Sequence, residues 1–248
     1  MVRQIDIMNK REEVIAGLIE TVSKKSQGFS APPITTIGGY AMRAFVPFSR
    51  YTRDCDFVIP KENGWAIDVI SRWFPEEVEI EAFEKHETYG YLRVMDILRI
   101  ERKTARVSID FMEGEVRGRT EEQVVLIDQK FIENRKSVRL NVGGKDIEMF
   151  VPDYTDFFIL KVVSGRPSDI RDIAALVWKN GISDNLDKRV TEILPKPTVF
   201  GKMLKDSIIP DISDKRFVES WRGTFVTTEF DEKAKEDVLL KIKGLCSR

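Results

Sequence analysis

The chain has 248 residues, with 40 basic and 41 acidic side chains. A net charge of -1 gives it no global attraction for nucleic acid or an anionic membrane. One histidine and two distant cysteines, Cys55 and Cys246, rule out a disulfide framework and nearly exclude a Ser-His-Asp triad or a His/Cys zinc site.

The N-terminal MVRQIDIMNK lacks the apolar centre of a signal peptide, and no segment approaches the roughly 18 apolar residues of a membrane span. We therefore expect a soluble, cytoplasmic protein without a membrane partner. Asp6 to Ser26 reads as an amphipathic helix, with Ile7, Val14, Ile15, Leu18, Ile19 and Val22 near helical spacing. Gly28 and Ala31-Pro32-Pro33 end it. Ile34 to Ile37 predicts a short strand, Gly38-Gly39 closes it, and Tyr40 to Phe48 predicts a short helix. A strand over Asp54–Ile59 and a helix over Trp65–Phe74 follow. Further strands are expected near Val78–Phe83, Tyr89–Ile100 and Ala105–Phe111, the last two joined by a turn at Glu101-Arg102-Lys103. Ser137–Val142 and Asp146–Val151 flank Gly143-Gly144, a hairpin signal.

From Asp153 the period becomes helical, with helices expected over 153–164, 168–180, 184–194, 198–206, 213–221 and 231–245. The change places a domain boundary near Pro152, with a mixed αβ region over 1–151 and a helical region over 152–248. Trp178 and Trp221 read as core residues, and Arg43 and His86 as exposed ones.

The chemistry concentrates in Arg50-Tyr51-Thr52-Arg53-Asp54-Cys55-Asp56-Phe57. A period of two puts Asp54 and Asp56 on one face of a strand, about 6–7 Å apart, and turns Cys55 and Phe57 toward packing. Two carboxylates on one face repel, and aspartate is poor in strands. A hard dication such as Mg²⁺ or Mn²⁺ relieves both costs. Asp110 interrupts another apolar strand and shares its face with Ser108, making it a candidate third ligand. Three such carboxylates can hold two metals about 3.5–4 Å apart for in-line phosphoryl displacement. Gly38 and Gly39, between a strand and a helix, permit close backbone approach by a phosphate; a plain tight turn is the competing reading. Arg50 can bind a phosphate or merely neutralise the acids.

Gly-Gly, a spacer, Asp-x-Asp on a strand and a later strand Asp resembles the DNA polymerase beta-like nucleotidyltransferase superfamily. Arg50-x-Thr52-x-Asp54-x-Asp56-Phe57 resembles its AbiEii-type branch. That branch also carries Lys-x-x-x-x-Arg-x-x-Asp-x-x-Asp on helices after the sheet, and this chain has Lys161, Arg166, Asp169 and Asp172 at that spacing. Cys55 stands where an aliphatic residue is commoner in the branch. The resemblance implies an α+β fold, with an N-terminal mixed-sheet nucleotidyltransferase core and a C-terminal helical bundle completing the nucleotide cleft. It assigns Asp54, Asp56 and Asp110 to metal and catalysis, and Gly38, Gly39, Arg50, Thr52, Lys161, Arg166, Asp169 and Asp172 to the nucleotide.

The charge types agree with that assignment. Arg binds phosphate oxygens bidentately and Lys as a point charge. Asp169 can cap its helix and Asp172 can orient Lys161 or Arg166, whereas a solvated helix face is the competing reading. The implied reaction moves a nucleoside monophosphate from an NTP such as ATP to an acceptor hydroxyl on tRNA, protein or a small molecule. As for toxins of toxin–antitoxin pairs, an antitoxin partner is implied as well. A silent nucleotide-binding module and a metal-dependent phosphoesterase are the alternatives.

Overall fold

The computed structural model describes residues 4–48, 50–101 and 103–246. In chain order its elements are α1 (Gln4–Lys25), β1 (Thr35–Ile37), α2 (Gly38–Met42), β2 (Asp54–Ile59), α3 (Ala66–Ile70), β3 (Glu79–Lys85), β4 (Gly90–Ile100) and β5 (Lys103–Glu113). Then come β6 (Glu115–Arg117), β7 (Val124–Leu126), α4 (Gln129–Glu133), β8 (Lys136–Val142), β9 (Lys145–Val151), α5 (Tyr154–Ser164) and α6 (Pro167–Asn180). The chain continues through α7 (Leu186–Ile193), α8 (Thr198–Met203), a π turn at Leu204–Ile208, α9 (Ile209–Ser213), α10 (Phe217–Phe225) and α11 (Glu232–Leu245). This is an α+β fold. Among the described residues no helix is long and apolar enough to cross a membrane.

The chain divides into two compact units. The first comprises Met1–Ala44, Tyr51–Val116 and Ile127–Pro152. Its sheet has the order β1-β2-β5-β4-β3, with β2 and β5 parallel and the other neighbours antiparallel. Alternation decides what each face carries. Cys55 and Phe57 of β2 and Val107, Ile109 and Phe111 of β5 point to a buried face, where the Phe57 ring lies 5.3 Å from Phe111 and 5.9 Å from Phe29. Helix α1 packs on β5 and β8, burying Ile15, Ile19 and Val22. Removing one such buried phenylalanine side chain typically costs about 3–5 kcal/mol. The opposite face carries Asp54, Asp56, Ser108 and Asp110.

Several elements differ from the sequence reading. Helix α2 begins at the glycine pair and ends at Met42. Arg43 is not an exposed side chain: it pairs with Glu12, donates to the Asn141 carbonyl at 2.6 Å and lies over the Tyr40 ring. The β4–β5 hairpin closes one residue earlier than expected, because Ile100 already pairs with Lys103. Arg102, assigned to that turn, lies outside the described residues.

The second unit comprises Phe45–Arg50, Arg117–Leu126 and Asp153–Arg248. Helix α5 packs on α6, α7 and α8, and α11 packs on α6 and α9. The helix expected at 213–221 forms instead at Phe217–Phe225, after a turn in which Asp214 accepts the Arg216 amide proton at 2.7 Å. Trp221 is fully buried in an aromatic cluster with Phe48, Trp178, Phe225 and Phe230, and its Nε1 donates to the Arg171 carbonyl at 3.0 Å.

Candidate functional site

The acid-bearing face of the first unit is built by register. β1 pairs with β2 so that Ile37 lies opposite Asp56, and β2 pairs with β5 so that Asp56 lies beside Asp110 and Asp54 beside Ser108. Asp54 and Asp56 are half-buried and Asp110 is buried. Thr52, just before the strand, donates its hydroxyl to Asp54 Oδ1 at 2.6 Å and fixes that carboxylate. Gly38 has φ +68°, a left-handed value, and a Cβ there would lie 2.1 Å from Asp56 Oδ2. A Cβ at Gly39 would meet the Thr52 Cβ at 3.1 Å. Both glycines thus keep space clear beside the acids.

Three carboxylates in neighbouring positions leave an electrostatic mark on the residue behind them. Burial first, then the charges of Asp56, Asp54 and Asp110, push the Cys55 thiol well above its usual range. Cys55 is therefore an inert core thiol.

Arg93 is the residue that sequence reasoning missed. It lies on β4 directly opposite Asp110. Its Nε donates to Asp110 Oδ1 at 2.9 Å and its Nη2 to Asp110 Oδ2 at 2.7 Å. Tyr91 adds its hydroxyl to Oδ2 at 3.1 Å. Arg93 also stands 3.6 Å from Glu81. The hydrogen bonds to Asp110 raise the guanidinium's pKa despite partial burial, so it is always charged. Asp56, Asp110 and Arg93 thus form a row across β2, β5 and β4.

Two hard carboxylates on one face, with Asp54 oriented by Thr52 and glycine clearance beside Asp56, fit the donor chemistry of one Mg²⁺ or Mn²⁺. Such ions usually take one or two protein carboxylates and complete their shell with water and phosphate oxygens. Asp110 fits a second cation poorly, because both its oxygens already receive hydrogen bonds. Among the described residues, no group of three or more His, Cys, Asp or Glu side chains stands close enough to hold a metal ion together.

The second unit gathers another set of the expected residues. Lys161 is buried, and its Nζ donates to Asp169 Oδ1 and Asp172 Oδ2, each at 2.8 Å. Ser164 donates to Asp169 Oδ2 at 2.8 Å, so Asp169 serves this network and makes no side-chain cap of α6. Arg50 donates Nε and Nη2 to the two oxygens of Asp172, each at 3.0 Å. Burial alone lowers the Lys161 pKa, but the charges of Asp172 and Asp169 outweigh it and the net shift is upward. Burial likewise pushes Asp169 up, but the Lys161 charge and the hydrogen bonds from Lys161 and Ser164 carry it below its ordinary range. Arg166, exposed, precedes Pro167 at the start of α6.

Residues 15–217 match the family model described as nucleotidyltransferase of unknown function (DUF6036). The chain belongs to this family. The crystal structure of a candidate nucleotidyltransferase from H. pylori is similar over 99% of this chain and 96% of that one, at 11% identity and a TM-score of 0.50, and it shares the fold. JHP933 from Helicobacter pylori is similar over 94% of this chain and 90% of its own, at 10% identity and a TM-score of 0.44. No curated relative matches the chain. Family and fold agree with the resemblance to nucleotidyltransferases read from the acid motif; the AbiEii-type branch is a finer assignment.

Proposed function

We propose that the acid-bearing face of the first unit is the catalytic centre of a metal-dependent nucleotidyltransferase, of AbiEii type, that moves a nucleoside monophosphate from an NTP to an acceptor hydroxyl. The observation that carries this reading is the pair Asp54 and Asp56 on one face, with Gly38, held to glycine by its left-handed backbone, closely approaching Asp56. Asp54 and Asp56 would hold Mg²⁺ or Mn²⁺. The ion, when bound, supplies charge neutralisation and polarisation of the phosphates.

The chain's own residues do the rest. Thr52 holds Asp54 in one orientation. Gly38 and Gly39 keep the strand end clear of side chains, so the triphosphate can approach backbone amides. The acceptor oxygen forms its bond to the α-phosphorus as the bond from that phosphorus to pyrophosphate breaks. The hydroxyl proton leaves to water, because Arg93 and Tyr91 already occupy both oxygens of Asp110, whose part is to hold the Arg93 charge beside the acids. Positioning and electrostatics, rather than a covalent intermediate, supply the rate. We read Lys161, Asp169, Asp172 and Arg50 as an ion-pair core of the second unit. Arg166 is the exposed basic side chain of that motif, open to a phosphate. The acceptor we propose is a hydroxyl of tRNA, protein or a small molecule, with an antitoxin as regulator of the same enzyme.

The test uses purified protein, Mg²⁺ or Mn²⁺ and each α-labelled NTP, with total RNA and protein as acceptors. Label should pass to one acceptor class, and Asp54→Asn with Asp56→Asn should abolish both transfer and metal-dependent NTP binding while the protein stays folded. Metal-dependent NTP binding that survives the double substitution overturns the assignment. NTP binding without label on any acceptor identifies a silent binding module instead.

A further inference from the structure

We propose that Arg93 stands in the place of a second divalent cation, leaving a centre that takes one dication on Asp54 and Asp56. The proposal rests on the nucleotidyltransferase reading above and departs from the two-metal arrangement expected of three strand acids.

The argument starts from register. In adjacent strands, side chains directly opposite each other share a face and stand about 4.5–5.5 Å apart at Cβ. Asp110 therefore has Asp56 on one side and Arg93 on the other. A second cation bridging Asp56 and Asp110 needs an Asp110 oxygen turned toward it. Both Asp110 oxygens instead face hydrogen-bond donors: Oδ1 accepts from Arg93 Nε, and Oδ2 accepts from Arg93 Nη2 and Tyr91. The carboxylate side chain is only 8% exposed, so it cannot readily turn to take a new ligand without breaking that fork. The fork itself is a fixed positive charge, because a guanidinium stays protonated at any working pH.

Repulsion points the same way. The Arg93 guanidinium, fixed on Asp110, would repel a second dication placed on that carboxylate at short range. Glu81, 3.6 Å from the outer edge of Arg93, further anchors the guanidinium beside the acids. The structure thus distributes the work: Asp54 and Asp56 hold the exchangeable cation, and Asp110, Tyr91 and Glu81 hold a permanent one. Arg93 is a positioning residue, since it acts through Asp110 and through the charge it leaves in the row.

The experiment counts Mn²⁺ on the intact chain with a non-hydrolysable NTP analogue present. Equilibrium dialysis gives the number bound per chain above the protein-free chamber, and electron paramagnetic resonance distinguishes isolated Mn²⁺ from a spin-coupled pair. Wild type should hold one isolated Mn²⁺. Arg93→Ala should acquire a second, with the spectrum of a coupled pair, because Asp110 is released to ligate. Wild type holding two coupled ions overturns the proposal, and so does Arg93→Ala remaining at one. Should Arg93→Ala fail to fold, Arg93→Gln decides by the same count: a second, spin-coupled Mn²⁺ is expected, and a count that stays at one overturns the proposal. Wild type holding no Mn²⁺ beyond that of Asp54→Asn with Asp56→Asn overturns the nucleotidyltransferase reading itself, a result distinct from a count of two.

Discussion

Lys161 and Arg50 converge on one carboxylate: Asp172 receives the Lys161 Nζ at 2.8 Å on Oδ2 and the Arg50 fork at 3.0 Å on both oxygens. Asp172 is fully buried and Lys161 nearly so, so neither charge can fall back on water. Lys161→Met should therefore leave Asp169 and Asp172 short of a partner and lower stability by about 3–5 kcal/mol, the cost of breaking a buried pair from one side. Urea unfolding followed by circular dichroism checks it. An unchanged midpoint would show that Lys161 is not part of the unit's scaffold.

The same network sets a pH dependence. Asp169 has a folded-state pKa below its ordinary value, set by Lys161 and Ser164 against the opposing effect of burial. Its contribution is present above the unfolded aspartate value of about 3.9 and is lost as pH falls through the lower folded value. Lys161 has a raised pKa, so its contribution is present below about 10.4 and lost only as pH rises through the higher folded value. The network is thus fully stabilising at neutral pH and fails first in acid. Urea midpoints measured downward from about pH 4 should fall more steeply in wild type than in Asp169→Asn.

Gly38→Ala tests the clearance beside the acids. The left-handed backbone costs a non-glycine residue roughly 1–2 kcal/mol, and the new methyl group must also displace the Asp56 carboxylate. Thermal unfolding should show a loss at least that large, and Mn²⁺ affinity should fall in the same variant. A stable Gly38→Ala protein with wild-type Mn²⁺ affinity would contradict the close approach.

Thr52→Val removes the hydroxyl that orients Asp54 while nearly preserving volume. Loss of such a supporting hydrogen bond typically weakens metal binding or activity by about 10–100-fold. Thr52→Ser keeps the hydroxyl and should restore most of the affinity, which separates orientation from packing. Isothermal titration with Mn²⁺ and an NTP analogue reads both variants.

How much of this was legible beforehand depends on how local the cause is. Alternation in Asp54-Cys55-Asp56-Phe57 placed two acids on one face and two core residues on the other, because side chains in a strand alternate by geometry alone. The glycine pair was legible as a special backbone position, although its partner, Asp56, was not. Trp221 read correctly as core. Arg93 was missed because its partner is set by the register between two strands, which spacing along one strand does not reveal. A turn at residues 101–103 would by itself imply Ile100 opposite Thr104 and Arg93 opposite Phe111. The actual pairing of Ile100 with Lys103 moves the register by one residue and brings Arg93 opposite Asp110. A one-residue slip changes the face to which every side chain of a strand is matched.

The sequence by itself determined the alternating strands, the change to helical period after Pro152 and the Asp-x-Asp pair, since each follows from spacing along a few residues. Tertiary structure alone decided that Asp110 is held by Arg93, and that Lys161 lies buried against Asp169 and Asp172 with Arg50 at its side. Arg50 and Asp172 are 122 positions apart, and Arg93 and Asp110 are 17. A charged side chain has no preferred partner in sequence. Its partner is whichever opposite charge the fold buries beside it, because leaving either one unpaired away from water costs more than any local propensity can supply.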